Sequence, residues 1–281
     1  MMFKTKHLSR LVIGVMLSLT GCGTYVPEIQ ELSWDQADGQ LLIRAIVGSI
    51  HCEIRDAVTY VINQDVKNAT EFRQPLQAGW LYGWGAQIAI TLTVDEQSTV
   101  APAGSWFGPP AFLLGLGANL SSTATRINSL NYYFTVKDIY SRSNGVPCSQ
   151  EERNNIYHLP VGSLLIRSDL KLKEWLLSVV LGLGTGEFEF TKSSKTAKNA
   201  FSHEVKFVVL TNANTIPVWT LANAKINPLL STSRNRTHDL LITFGENDPI
   251  TNSLTPPAAN ANLASQIGLA VSNQIVNNSL R

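Results

Sequence analysis

Histidine next to a carboxylate occurs twice in this sequence, and such pairs are the first candidates for general acid–base chemistry. His203 precedes Glu204, and His238 precedes Asp239. Both pairs lie in segments with strand periodicity, where adjacent side chains point to opposite faces, so neither pair can act as a unit. The sequence also lacks HExxH, CxxC and GxSxG motifs. We therefore predict no catalytic residue and no metal site.

A different chemistry is expected at Cys22, the last residue of a short N-terminal pattern. The pattern opens with three basic residues, Lys4, Lys6 and Arg10. An apolar run over 11–19 follows, about nine residues long and far short of the ~20 needed to span a bilayer. The run ends in Leu19-Thr20-Gly21-Cys22, which resembles the lipobox of bacterial lipoprotein precursors.

The resemblance implies that residues 1–21 are a signal peptide cleaved before Cys22. It also implies a covalent diacylglycerol on the Cys22 thiol and an acyl chain on the new amino terminus, with no other cofactor. Two or three acyl chains give stable anchoring, so membrane lipid is the first expected partner. Gly23 in place of Asp, by analogy with such precursors, favours the outer membrane, on its periplasmic face.

Two further cysteines, Cys52 and Cys148, form an even pair if Cys22 carries lipid. In an oxidising compartment such a pair is typical of a disulfide, here closing a loop of about 95 residues. The alternative is two free structural thiols. Apolar residues spaced for one helix stripe predict a helix over 50–66, and Cys52 lies on the opposite side of it.

Composition excludes some functions. Removing Lys4, Lys6 and Arg10 with the signal takes the formal charge from +1 to −2, which gives no electrostatic basis for binding nucleic acid. The chain is 44% hydrophobic and 15% charged, as expected of a folded exported protein. No apolar run after Leu19 is long enough for a second membrane helix.

Period-two segments at 88–95 and 130–137 predict half-buried strands, with a glycine- and proline-rich loop between them. Further strands are expected at 187–191, 204–211, 216–226 and 239–245, with a hairpin loop at 211–215, and helices at 150–158 and 169–181. Ser149-Gln150-Glu151-Glu152 matches a capping box that opens the first of these helices. The predicted fold is α+β, an antiparallel, sandwich-like domain with several packed helices over 41–248. Residues 22–40 are expected to form a linker. Residues 249–281 are expected to form a proline linker and an amphipathic helix with an apolar stripe over 263–275, packed on its own domain or on a partner.

Aromatic residues form the one candidate binding surface. Trp80, Tyr82 and Trp84 alternate among glycines, and Trp106 and Phe107 follow in the predicted loop. Exposed, these rings would suit stacking on sugars or anchoring a partner protein; buried, they are core.

These patterns favour an outer-membrane lipoprotein that acts as a non-enzymatic binding or scaffold component of the envelope. Its partner would be an envelope protein or a glycan, and the sequence leaves the oligomeric state open. One alternative is a subunit of an oligomeric outer-membrane β-barrel or transport assembly, although only three segments with strand periodicity, over 86–95, 128–139 and 216–226, reach the ~9–11 residues needed. Another is a hydrolase whose site, around His158, His203 or His238, forms only in the fold.

Overall fold

The computed structural model describes residues 39–101, 103–108, 112–157, 166, 168–187, 189–190, 199–215, 219–221, 224–226 and 229–279. The signal peptide, Cys22 and the predicted linker lie outside these residues. The described α-helices are α1 (Gly39–Phe72), α2 (Val136–Arg142), α3 (Gln150–Tyr157), α4 (Leu172–Thr185) and α5 (Pro256–Ser279). None of them is long and apolar enough to cross a membrane.

The strands pair into two antiparallel sheets. They are β1 (Trp84–Ala101), β2 (Ala103–Gly108), β3 (Phe112–Gly117), β4 (Leu120–Thr135), β5 (Ala200–Thr215), β6 (Trp219–Leu221), β7 (Ala224–Ile226), β8 (Leu229–Asp248) and β9 (Ser253–Leu254). The first sheet has the order β4-β1-β8-β5, with β9 on β8, and the second has the order β3-β2-β7-β6. The predicted α+β fold with an antiparallel sheet is confirmed.

The chain divides into two compact units, each built from several segments. Unit 1 contains, among the described residues, 92–127 and 208–237. Unit 2 contains the described parts of 30–91, 128–207 and 238–281. Each of the four long strands contributes one part to each unit.

In unit 2, α1 supplies the most regular buried surface. Its apolar residues recur every three or four positions, and Ile46, Ile50 and Ile54 are no more than 1% exposed. This stripe explains why the helix forms and why it packs on α2, α3 and α4. The predicted helix over 50–66 is confirmed and extends further at both ends. Val66, expected to be in the buried stripe, is 46% exposed because the last turns of α1 run past the core.

The strands of unit 2 show the predicted alternation. Ile88 and Ile90 of β1 are at most 1% exposed, while Ala89 and Thr91 are half-buried. On β8 the contact with α5 is so close that a Cβ on Gly245 would lie 2.6 Å from the Ala258 Cβ. Only glycine allows this approach.

Two predicted loops are wrong. The glycine- and proline-rich stretch after β1 contains β2 and β3, and residues 211–215 belong to β5. In both places ladder hydrogen bonding to a neighbouring strand overrides the local preference of glycine and asparagine for turns. Helix α2 was not predicted, because its first residue continues the period-two pattern of β4.

Helix α5 confirms the predicted C-terminal helix but not its packing on its own domain. Leu263, Ile267 and Val271 of the predicted stripe are 55%, 57% and 52% exposed. The buried side carries Ala258 and Asn262 instead, and the Thr243 hydroxyl donates to the Asn262 Oδ1 at 3.0 Å. Docking of the stripe on a partner stays a prediction.

Candidate functional site

The described histidines occupy structural positions. His203 Nε2 lies 2.8 Å from the Leu170 carbonyl oxygen, and its ring is 5.1 Å from the ring of Trp175. His238 is 1% exposed within β8. Among the described residues no group of three or more His, Cys, Asp or Glu side chains could hold a metal ion. His158 lies outside the described residues.

Cys52 and Cys148 form a disulfide, with an S–S distance of 2.11 Å and a Cα–Cα distance of 5.5 Å. Cys52 is 4% exposed on α1, and Cys148 lies in the segment just before α3. The bond therefore holds this segment against α1, in the geometry expected from the position of Cys52 opposite the apolar stripe.

Charged side chains surround this bond. Arg55 Nη1 lies 3.0 Å from Glu152 Oε1, and Arg153 pairs with both Glu53 and Asp56. Burial raises the pKa of Glu53, although the hydrogen bond from Arg153 opposes that shift. These pairs fix α3 on α1, so the arrangement is structural.

Residues Ser149 and Glu152 form the predicted capping box of α3. The Glu152 backbone N–H donates to Ser149 Oγ at 3.1 Å, and the Ser149 N–H donates to Glu152 Oε2 at 2.7 Å. This backbone hydrogen bond, with Arg55, lowers the pKa of Glu152. The two bonds satisfy donors that a helix start leaves unpaired.

The first part of the predicted aromatic surface, Trp80, Tyr82 and Trp84, does not form one exposed face. Residues 79–83 form a 3₁₀-helix rather than an extended segment, so alternate residues do not share a face. Trp84 is 4% exposed and stacks on Phe201 at 5.5 Å, with Trp80 at 4.7 Å, whereas Tyr82 contacts Tyr140. Trp84 is therefore core and not a binding surface.

Trp106 and Phe107 lie on β2 in unit 1, within the four short strands that we call the tip sheet (β2, β3, β6 and β7). Backbone register aligns its residues in rows that cross all four strands. One row, the polar row, consists of Gly115, Ser105, Lys225 and Thr220. The rows on either side are Leu116, Gly104, Ile226 and Trp219, and Leu114, Trp106, Ala224 and Leu221.

The polar row contains every polar residue of the tip sheet. Successive rows belong to opposite faces because the side-chain period of a strand is two. By register, the row of Ser105, Lys225 and Thr220 alternates with rows that contain only apolar residues and glycine, and the next rows of the same parity, Ala103 with Gly117 and Phe107 with Leu113, contain no polar residue either. The sequence alone concealed this alternation, because glycines interrupt β2 and β3, and β6 and β7 have only three residues each.

The long strands of unit 1 keep the same register. The Thr125 hydroxyl donates to Asp95 Oδ1 at 2.6 Å between β4 and β1, and Arg234 Nε lies 3.2 Å from Glu96 Oε1 between β8 and β1. Extending this register places Leu120 and Leu230 in the same row as Val100. Leu120 and Leu230 are 49% and 40% exposed. On β1 and β2 the rows of this face therefore carry no polar residue at 100, 104, 106 and 108, within a stretch of nine residues, although Thr215 of β5 falls in the row of Val100.

Comparisons with known proteins give no relative. No family model matches the chain, and no curated protein matches it significantly. The geometry of unit 1 is therefore the main guide to function.

Proposed function

We propose that the protein is a lipid-anchored, non-enzymatic structural subunit of the bacterial outer membrane, held by acylated Cys22 and entering the membrane with its tip sheet. The observation that carries the proposal is the separation of polar and apolar rows in the tip sheet. It is supported by the N-terminal resemblance to lipoprotein precursors, which supplies the export route and the anchor.

The dimensions of the apolar rows support membrane entry. Membrane-spanning strands present an apolar band ~25 Å tall, with aromatic residues near its borders. The stretch 100–108 has nine residues, at the lower end of the ~9–11 that a tilted membrane-spanning strand needs, and the tip sheet contains Trp106, Phe112 and Trp219. The charged pair Arg234–Glu96 and the polar pair Thr125–Asp95 lie four and five residues before Val100, on the water side of this stretch in the proposal.

This proposal favours the assembly alternative over a simple periplasmic scaffold. The sequence-based objection to that alternative was strand length. The long strands of the structure have 16 to 20 residues, and β2 and β3 add six residues each. That objection therefore no longer applies.

The anchor is tested by labelling with a fatty-acid analogue and membrane fractionation, with wild type compared to Cys22→Ala. We expect label in the wild type and none in the variant. A wild-type protein without label, found in the soluble fraction, would contradict the anchor.

Membrane entry is tested in the Cys22→Ala background by carbonate extraction. Leu114→Lys places a charge in an apolar row, whereas Gly115→Lys places it in the neighbouring polar row. Gly115 is exposed, and a Cβ there meets nothing within 4 Å, so the control substitution is tolerated. A lysine on a lipid-facing strand position costs ~2–4 kcal/mol near the bilayer midplane. We expect Leu114→Lys alone to be extracted; equal behaviour of the two variants would contradict entry by this face.

A further inference from the structure

The outer strands of unit 1 run in opposite directions. In the order β4-β1-β8-β5 each strand is antiparallel to the next. With four strands, the two edge strands, β4 and β5, therefore run in opposite directions. An edge of one copy can therefore pair with the other edge of the next copy and continue the antiparallel pattern. An odd number of strands would not allow this.

The two edge strands are also aligned with each other along the strand direction. Within unit 1, the shared register places residues 120–127 of β4 opposite residues 208–215 of β5, with Thr123 level with Asn212. Strands β4 and β5 have 16 residues each. Two copies side by side could therefore pair over all eight residues that each edge strand contributes to unit 1.

The edges expose apolar side chains on one face of the sheet. Ile127 on β4 is 61% exposed, and Val208 and Leu210 on β5 are 44% and 55% exposed. By register Ile127 and Val208 lie in one row, and Leu210 lies in the next row of the same face. Side-by-side copies would cover these residues with each other.

The edges lack the usual protection against pairing. Soluble proteins guard long edge strands with lysine, proline or bulges. Residues 120–127 contain one charged residue, Arg126, and residues 208–215 contain none; neither segment contains proline. Within the part of the chain that the structure describes, no strand covers either edge.

We propose that the occupant of each edge is a second copy of this chain, joined head to tail with β4 of one copy beside β5 of the next. The inference rests on the proposed function, because a sheet in lipid must satisfy all of its backbone groups and cannot keep open edges. Head-to-tail contacts form rings when the rotation closes. A two-fold pairing of β4 with β4 would point the tip sheets in opposite directions, so both could not enter one membrane from one side.

Cysteine cross-linking of the full lipidated protein in membranes tests this arrangement. Thr123→Cys and Asn212→Cys are exposed positions on β4 and β5. Membranes would contain either variant alone, both variants co-expressed, or the double variant. Because neighbouring copies can be offset along the strands, Val208→Cys and Leu210→Cys are tested in place of Asn212→Cys. Ser141→Cys, exposed on α2, is the control.

We expect cross-linked dimers when the two variants are co-expressed and none when either variant is present alone. In the double variant the monomer band should be replaced by a ladder of cross-linked oligomers. Dimers of Thr123→Cys alone would show two-fold pairing and overturn the inference, as would cross-links only to another protein. Monomer at every pair, in a protein that still carries the fatty-acid label and resists carbonate, would overturn the inference and leave the proposed function standing. Loss of label or of carbonate resistance would instead contradict the proposed function.

Discussion

Unit 1 and unit 2 are stabilised in different ways. Among the side chains that the structure describes, the buried apolar ones belong almost entirely to unit 2, and only Leu92 and Val94 lie in unit 1. Unit 2 also contains the disulfide and the ion pairs of α1 with α3. Unit 1 combines regular backbone pairing with exposed apolar side chains.

This difference indicates which region is complete in one copy. Unit 2 has a buried apolar core of its own, although it also exposes apolar side chains such as Leu263, Ile267 and Val271 of α5. Unit 1 has strands of full length but leaves large apolar side chains uncovered, which is typical of a surface that meets lipid or another chain. The comparison predicts that substitutions in unit 2 will change stability, whereas those in unit 1 will change membrane retention and assembly.

The largest effect on stability is expected from removal of the disulfide. The double variant Cys52→Ser, Cys148→Ser frees a loop of about 100 residues, for which chain entropy gives a loss of about 4 kcal/mol. Urea unfolding of the mature protein in mild detergent, with and without reductant, measures it. An unfolding midpoint that does not change with reductant would show that the bond adds no stability to unit 2.

A matched pair of isoleucines tests the comparison directly. Ile90→Ala, at a position 1% exposed in unit 2, should lower the free energy of unfolding by about 3 kcal/mol because it leaves a cavity. Ile127→Ala, at a position 61% exposed in unit 1, should change it by less than about 0.5 kcal/mol. Similar losses from both variants, measured in the same denaturation series, would mean that unit 1 has a core of its own.

A smaller effect is expected at the start of α3. Ser149→Ala removes the side-chain acceptor of the capping box and should cost about 1 kcal/mol. Ser141→Ala, at an exposed position on α2, serves as the control and should be close to neutral. Denaturant midpoints of the two variants give the measurement, and a neutral Ser149→Ala would show that the disulfide and ion pairs alone hold α3.

The smallest effect concerns pH. Burial, followed by the nearby Arg55 charge, lowers the pKa of His51 from its ordinary value of 6.5. The His51 ring therefore binds a proton more readily in the unfolded chain than in the folded protein. The contribution of His51 to stability is present above pH 6.5 and is lost as the pH falls through the lowered pKa. His51→Gln should give a flatter dependence of the unfolding midpoint between pH 7 and pH 5. An unchanged slope would exclude His51 as its source.

Local periodicity was enough to predict several elements of unit 2, although not helix α2. The stripe of α1, the alternation of Ile88 and Ile90, and the Ser149–Glu152 capping box each depend on residues a few positions apart. Cys52 and Cys148 could be paired because they were the two cysteines left after the lipobox. Exposure of the α5 stripe could not be predicted, since periodicity identifies a face but not what covers it.

Unit 1 could not be predicted in this way, because its pattern exists between strands. Ser105, Lys225 and Thr220 are polar residues of three separate segments, and only the register shows that they form one row. The residues around Ser105 are glycine-rich, and in the sequence alone they are typical of a loop. Pairing information from aligned relatives is the kind of signal that would have identified the row.

The disulfide has a topological consequence for the first hairpin. All of β1 to β4, residues 84–135, lies between Cys52 and Cys148 and so belongs to one covalent loop. A protease that cuts this hairpin near residue 110 leaves the two fragments linked until a reductant is added. A cut near residue 222, between β6 and β7, leaves the C-terminal fragment with no covalent link to the rest of the chain. The two hairpins therefore differ in how much damage each tolerates before part of the protein is shed.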